Sequence, residues 1–368
     1  MSKEGYLKAS YDLIYLVYCI INQKIPDKKK VENMTLDGVY KVAENHKLTS
    51  AAAMALESVG IHEHSFTQSK GKAIRKNAAL DLERAKLLSF LDKNNIWYIP
   101  LKGIIMQEYY PEYGIRQMSD NDILFDKKYR EEVKEYFESQ GYRVKEYKKR
   151  HHDVYLKEPV YNFEMHISLV GKHFSTMHYY YKNVKKRLIP NKTGSGCHFS
   201  NEDFYVYMIV HDFKHYSHSG TGLRSLLDIY VFLNKFSDTL DMKYIESELT
   251  KIGIDDFENE LRALALDVFG KGIIDSNKEM LEYIILSGAY GSVENIVSDA
   301  KKSRDTSSKL KYIINRIFKP SSVLRLYYPL FYRYKILLPF LPLYRFIRMF
   351  TSSRKKVKKE IKALIGKK

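Results

Sequence analysis

Residues 114–126, GIRQMSDNDILFD, place two aspartates one residue apart at the start of an apolar run. If this run is a β-strand, Asp120 and Asp122 point to the same face and lie about 6–7 Å apart along it. Two carboxylates so placed repel each other and resist burial unless a cation lies between them. Hard divalent cations such as Mg²⁺ prefer such oxygen ligands and keep room for substrate phosphates. The alternative interpretation is a solvated strand start that contains two acids by chance.

Strand and helix signals alternate around this pair. Short apolar runs next to glycine or polar turns predict strands, and amphipathic runs predict helices. In chain order the segments read as strand, short helix, strand, helix and three further strands: 96–103 (IWYIPLKG), 104–110 (IIMQEYY), 120–125 (DNDILF), 127–141 (KKYREEVKEYFESQG), 142–148, 152–158 and 160–169. This pattern predicts an α+β fold with a small mixed sheet, flanked by N- and C-terminal helical regions.

The whole chain divides into regions of different composition. We predict an N-terminal helical region, a core with the mixed sheet, a C-terminal helical domain and a basic, aromatic tail: 1–90, 91–190, 191–300 and 301–368. The first apolar run, 13–21, is too short to span a bilayer and lacks a cleavage site, so we expect a buried helix and no secretion signal. Cys19 and Cys197 do not make a disulfide framework, which indicates reduced thiols and a cytoplasmic location.

The positive charge is concentrated in the tail. Residues 301–368 contain 20 Lys/Arg and two acids, whereas the first 300 residues contain 41 Lys/Arg and 42 acids. Aromatic, apolar and basic residues occur together in 320–368, which suits a peripheral anchor on an anionic membrane surface, here the inner face. The alternative is that the first half of the tail packs on the body. No recognisable nucleic-acid-binding module accompanies the tail, so nucleic acid is not an expected partner.

Two further features support a metal site at the acid pair. Gly103 ends one strand and opens a helix, where backbone N–H groups can hold a phosphate and Lys102 adds positive charge. The alternating segment 161–169, YNFEMHISL, places Glu164 and His166 on its polar face. A carboxylate on an adjacent strand could complete a two-metal cluster. A surface lysine and a half-solvated strand are the alternatives.

Taken together, the motifs LKG, RQMSDNDIL and FEMH resemble the uncharacterised nucleotidyltransferase family of the DNA polymerase β-like nucleotidyltransferase superfamily. The superfamily pattern is a hydrophobic-Gly-Gly/Ser turn, a short helix, an Asp-x-Asp/Glu pair and a third acid on a later strand. Gly103 matches the turn glycine, although no second small residue follows it. Asp120 and Asp122 match the pair, and Glu164 matches the third acid. The resemblance covers roughly residues 75–240.

The resemblance implies transfer of an NMP unit from an NTP to an acceptor, with release of pyrophosphate and with Mg²⁺ or Mn²⁺ as cofactor. Asp120 and Asp122 would hold both ions, and Glu164 would bind the ion that activates the acceptor and would take its proton. Arg116 would reach a phosphate or an acid of the cluster, or else pair with a structural acid. His166 would orient Glu164 or contact the acceptor. The acceptor and the base of the NTP, ATP included, are left open.

Histidines and a charged pair occur elsewhere in the sequence. His211 and His215 share a helix face that resembles the family's helical region, and we expect packing on the core or an acceptor pocket there rather than zinc. Segment 222–228, GLRSLLD, carries an arginine and an aspartate four residues apart, which fits an ion pair within a helix. His151 and His152 are expected in a loop or at a strand start.

Two other functions fit parts of the sequence. Nucleotide-sugar glycosyltransferases use Asp-x-Asp to bind the metal of the diphosphate, but the roughly 120 residues before this pair are mostly helical rather than rich in strands. A non-catalytic, membrane-associated adaptor on a transferase fold is the other alternative, and the three retained acids argue against it. Metal-dependent nucleotidyl transfer is the function that the sequence favours.

Overall fold

The chain begins with a helical region. The structure is a computed structural model that describes residues 1–218, 220–288, 334–341 and 344. The first helices are α1 (Lys3–Ile21), α2 (Lys28–Glu32), α3 (Leu36–His46), α4 (Thr49–Glu57) and α5 (His64–Lys93). Leu13, Leu16 and Val17 of α1 are buried, and α1 packs on α3 and α4, so the first apolar run is a buried helix as predicted. Within the described ranges, no helix is both long and apolar enough to cross a membrane.

A mixed sheet follows. Its strands are β1 (Tyr98–Pro100), β2 (Asn121–Phe125), β3 (Arg143–Glu146), β4 (His152–Lys157) and β5 (Tyr161–His166), in the spatial order β1-β2-β5-β4-β3. β2 and β5 are parallel, and the other neighbours are antiparallel. Helix α6 (Lys102–Gln107) lies between β1 and β2 in the chain, and a 3₁₀ turn (Lys127–Tyr129) and α7 (Arg130–Ser139) lie between β2 and β3. The predicted α+β class is confirmed.

The two faces of the sheet have different surroundings. Ile123 of β2 and Phe163 of β5 are fully buried, and both belong to a core that also contains side chains of α5 and α7. Because side chains alternate across a strand, Asp122 and Glu164 project from the opposite face. A slip of one residue in either strand would turn an acid into this apolar core, so the buried face fixes the register.

The helices after the sheet support the face that carries the acids. They are α8 (Ser175–Tyr180), α9 (Asn201–His218), α10 (Leu223–Phe236), α11 (Met242–Ile252), α12 (Asp255–Ala265), a π-helical turn (Leu266–Lys271) and α13 (Lys278–Ser287), with a 3₁₀ turn (Val184–Arg187) and a small hairpin, β6 (Ile189–Pro190) and β7 (Cys197–His198), between α8 and α9. Their apolar side chains share one core with those of α1, α3 and α4. The two helical regions that the sequence separates are therefore packed together.

The basic tail lies almost entirely outside the described residues. Of the segment 320–368, the structure describes 334–341 and 344, which include a 3₁₀ turn (Lys335–Phe340). The membrane contact predicted for the tail stays a prediction, as does the division of the chain into four regions.

Candidate active site

The three acids singled out in the sequence lie next to one another. Asp122 on β2 is paired in register with Glu164 on the parallel strand β5. Residues paired across neighbouring strands project to the same face, so the two carboxylates are adjacent. Asp120 lies immediately before β2. The side chains of Asp122 and Glu164 are 31% and 28% exposed, so the cluster can be reached by a ligand from solvent.

The carboxyl groups of this cluster resist ionisation. Burial and the charge of Asp122 raise the pKa of Asp120 to about 7. Burial raises the pKa of Asp122 to about 6, and burial with the charges of Asp122 and Asp120 raises the pKa of Glu164 to about 8. A divalent cation would stabilise the charged carboxylates, and carboxylate oxygens are the ligands that hard cations prefer. The donor set therefore fits Mg²⁺ or Mn²⁺.

Helix α5 holds the segment that carries the acid pair. The buried side chain of Asn77 donates to the carbonyl of Arg116 at 2.9 Å and accepts from the backbone N–H of Met118 at 3.0 Å. The buried side chain of Asn121 donates to the carbonyl of Leu80 at 3.0 Å. The chain is thus hydrogen-bonded to α5 on both sides of Asp120, through backbone groups before it and through a side chain after it, which limits how far the acid can move.

His166, at the end of β5, lies beside two of the acids. Its Nε2 atom is 2.9 Å from Asp122 Oδ1 and 4.0 Å from Glu164 Oε2. One ligand atom from each of these three residues lies within 4.8 Å of the others. Burial lowers the pKa of His166 to about 3, so its ring is neutral at pH 7. A neutral ring can donate one N–H to the carboxylate of Asp122 and keep a lone pair on the other nitrogen.

Lys214 of α9 faces the same cluster. Its ammonium group interacts with the charges of Asp122 and Glu164, while burial lowers its pKa. Lys214 was not among the site residues predicted from the sequence. A signal was present, because Lys214 is three residues from His211 and therefore close to the same face of α9.

A cleft of about 290 Å³ is lined in part by Ser119, the residue before Asp120. Its positive residues are Lys47, Lys72 and Lys76. The Lys76 ammonium donates to the carbonyl of Ser119 at 2.8 Å, directly beside the acid pair. The remaining lining residues are Glu44, Thr49, Ser69, Ala73, Gln117, Met118 and Ser119. Three lysines in one cleft attract an anionic ligand with several charges, such as a polyphosphate. These lysines carry no recognisable sequence motif, because each resembles an ordinary surface lysine.

A family model described as uncharacterised nucleotidyltransferase matches residues 32–270, which is more than half of the chain. The chain belongs to this family. The match includes α3, α4 and α5, so the helices that line the lysine cleft and hold the acid pair are part of the family's shared region. No curated protein and no solved structure matches the chain. Membership of the nucleotidyltransferase family supports a general role in nucleotidyl transfer.

Lys102 and Arg116 lie in a buried network of ion pairs. Lys102 Nζ is 2.6 Å from Asp212 Oδ1 and 3.8 Å from Asp228 Oδ2. Arg116 donates from Nε and Nη2 to the two oxygens of Asp228, at 2.8 and 2.9 Å. Burial alone would raise the pKa of Asp228, but Arg116 holds it at about 2. The network ties α6 to α9 and α10, and a contact of these two cations with nucleotide stays a prediction.

Gly103 is packed closely on this network. A Cβ atom added at Gly103 would lie 3.3 Å from Met118 Cε and 3.5 Å from Arg116 Nη1. The missing side chain thus lets α6 approach the loop before β2, which gives the glycine a packing role. Its predicted contact with phosphate is a separate proposal that this packing does not test.

Other charged residues of α9 and α10 differ in part from the expectation. Arg224 donates to the carbonyl of Gln117 at 2.8 Å instead of pairing with Asp228, whose carboxylate accepts from an arginine outside the helix. His211 and His215 contact each other on α9, with ring centroids 4.6 Å apart. Tertiary contacts have therefore replaced the ion pair within the helix that the spacing suggested.

Proposed function

We propose that the protein is a divalent-metal-dependent nucleotidyltransferase that moves an NMP unit from an NTP to an acceptor and releases pyrophosphate. The observation that carries the proposal is the pairing of Asp122 with Glu164 across parallel strands, with Asp120 immediately before β2. Family membership supports nucleotidyl transfer in general and favours it over transfer from a nucleotide sugar.

Asp120, Asp122 and Glu164 would hold Mg²⁺ or Mn²⁺ in this proposal. When bound, such a cation neutralises charge on the phosphates and polarises them. The raised pKa values of the three acids support this assignment. Burial disfavours the charged form of each acid, neighbouring carboxylates add to this at Asp120 and Glu164, and a bound cation would stabilise the charged forms.

The lysine cleft would bind the β- and γ-phosphates of the NTP. Lys76 lies nearest to the acid pair through its bond to Ser119, and Lys47 and Lys72 line the same cleft. A triphosphate with its outer phosphates in this cleft directs its α-phosphate toward the acids. Charge-assisted bonds from ammonium groups to phosphate are among the stronger polar contacts in proteins.

The reaction then needs positioning and charge balance rather than a covalent intermediate. The acceptor nucleophile forms a bond to the α-phosphorus, and the bond from that phosphorus to the oxygen shared with the β-phosphate breaks. The electron pair of the broken bond leaves with pyrophosphate. Glu164 takes the proton of the acceptor, and Lys214 balances negative charge on the transferred group.

Calorimetric titration with ATP, GTP, CTP and UTP, with and without Mg²⁺, tests the proposal. We expect at least one nucleotide to bind in the presence of Mg²⁺, and Asp122→Asn to lose the metal-dependent part of that binding. Glu112→Gln is the matched control, because it removes one exposed carboxylate from the same loop region. Nucleotide binding that does not depend on Mg²⁺ would contradict the proposal, as would Mg²⁺-dependent binding that is unchanged in Asp122→Asn. Binding of none of the four nucleotides would favour transfer from a nucleotide sugar instead.

A further inference from the structure

Three histidine rings meet at one end of β4 and β5. His152 is the first residue of β4 and is paired with His166 at the end of β5, and His151 precedes β4. The ring centroids of His151 and His152 are 4.7 Å apart, and those of His152 and His166 are 5.0 Å apart. One ring nitrogen from each of the three lies within 4.8 Å of the others. The sequence analysis had assigned the first two histidines only to a loop or strand start.

Two of these rings, those of His152 and His166, offer a buried nitrogen. Nδ1 of each ring is buried, and within the described part of the chain it has no hydrogen-bond partner. The backbone of Ser168 also approaches the His166 ring. Buried polar atoms without a partner are uncommon in proteins, and an ion is one of the groups that can satisfy them.

His166 also has the second contact that metal-binding histidines usually make. Its Nε2 lies 2.9 Å from Asp122 Oδ1, which leaves Nδ1 for a ligand role. A histidine that binds a metal through one nitrogen commonly donates from the other to a carboxylate, which fixes the ring and increases its basicity. Glu164 Oε2 is 3.6 Å from His152 Nε2, so the second nitrogen of His152 also has a carboxylate beside it.

We propose that His151, His152 and His166 form a second metal site, rich in nitrogen, that binds a transition-metal ion of the zinc class next to the oxygen-rich acid cluster. Neutral imidazoles suit Zn²⁺ and its neighbours, whereas carboxylates suit Mg²⁺. Lys214 and Arg150 are positive charges that oppose a cation here, and the nearby carboxylates of Asp122, Glu164 and Glu146 offset them. The site stands on its own geometry and does not depend on the proposed nucleotidyl transfer.

Zinc binding by the full chain tests this site. The protein is stripped with a chelator, dialysed, and titrated with Zn²⁺ in excess Mg²⁺, with bound zinc measured by mass spectrometry after equilibrium dialysis. We expect one retained Zn²⁺ per chain, and a loss of affinity of about 10- to 100-fold or more in His152→Gln and in His151→Gln. Substitution with Co²⁺ should give visible d–d absorption bands that both variants lose.

Two controls separate this site from its surroundings. His198→Gln changes an exposed histidine that bonds to Asn191, and should keep full zinc affinity. Asp120→Asn changes the acid cluster but none of the three histidines, and should also keep it. The site would be overturned by equal zinc affinity in wild type and both histidine variants, or by no retention of Zn²⁺ in excess Mg²⁺. A loss of zinc affinity in Asp120→Asn as large as that in the histidine variants would also overturn it. Zinc binding without metal-dependent nucleotide binding would uphold this site while rejecting the proposed function.

Discussion

Removal of one charge from the acid cluster should stabilise the metal-free protein above neutral pH. The folded-state pKa of Asp120 is about 7, against an ordinary value of 3.8, with burial as the main cause and Asp122 as the next. The folded protein therefore binds this proton more tightly than the unfolded chain does. Stability then falls as pH rises from about 4 to about 7, because the folded state must give up a proton that the unfolded state has already lost. Asp120→Asn removes this cost.

The size of the effect follows from the shift. Each pKa unit corresponds to about 1.4 kcal/mol, so a shift of about three units sets an upper limit of roughly 4 kcal/mol. Water reaches this cluster, as the 31% exposure of the Asp122 side chain shows, and solvent screening reduces the effect to about 1–2 kcal/mol. With an unfolding entropy of about 2.1 cal/mol/K per residue, that corresponds to a rise in Tm of about 1–3 °C for a chain of this length.

Thermal unfolding in a chelator at pH 8 and at pH 5 measures the effect. Asp120→Asn should have the higher Tm at pH 8 and a smaller advantage at pH 5, which lies only part of the way from the unfolded pKa of 3.8 to the folded pKa of about 7. Saturating Mg²⁺ or Mn²⁺ should reverse the order, because a ligand at 100 times its Kd stabilises by about 2.7 kcal/mol and the variant lacks one oxygen ligand. Glu112→Gln, an exposed neighbour, should match wild type throughout. A lower Tm for Asp120→Asn than for wild type at pH 8 without metal would refute the reasoning. An increase in Tm on metal addition that is as large in Asp120→Asn as in wild type would also refute it.

Three other substitutions probe the surroundings of the cluster. Lys76→Met should weaken binding of inorganic triphosphate by about 10-fold or more, because it removes a charge-assisted donor from the cleft. Lys72→Met should weaken this binding less, because the side chain of Lys72 is exposed. Calorimetry measures the affinity of both variants. Asn77→Ala should lower the free energy of unfolding by about 1–3 kcal/mol in urea, as it leaves two buried backbone groups unpaired, and an unchanged value would show that water replaces the amide. Asp228→Asn should lower the free energy of unfolding by about 3–5 kcal/mol, because the buried guanidinium of Arg116 loses its charged partner. The double variant with Arg116→Gln should lose less stability than the sum of the two single variants. Additive losses would disprove the coupling.

Much of the local structure could be predicted because strand periodicity is local. The alternation in 160–169 was sufficient to place Phe163 and Met165 on an apolar face and Glu164 and His166 on the polar one. The apolar run after Asp120 likewise predicted β2, which begins at Asn121. In each case neighbouring residues alone determine which face a side chain occupies.

The partners of charged residues could not be predicted in the same way. Lys102 was assigned to a phosphate turn because it precedes a glycine, yet its ammonium contacts Asp212, which lies 110 residues later in the chain. The sequence left open whether Arg116 binds a phosphate or a structural acid, and in the structure it makes a bidentate contact with Asp228. Both aspartates are on helices whose distance from the sheet depends on the packing of the whole core.

The sequence by itself determined the chemical groups of the site: three acids, two of them close enough in sequence for their carboxylates to repel each other. They lie on or next to two strands whose apolar faces must be buried. Tertiary structure decided which groups meet them. The parallel pairing of β2 with β5 aligned Asp122 with Glu164, and the packing of α5 and α9 brought Lys76 and Lys214 to the same place. The reason is physical, since periodicity selects the face on which a side chain lies, whereas only long-range packing selects what lies opposite that face.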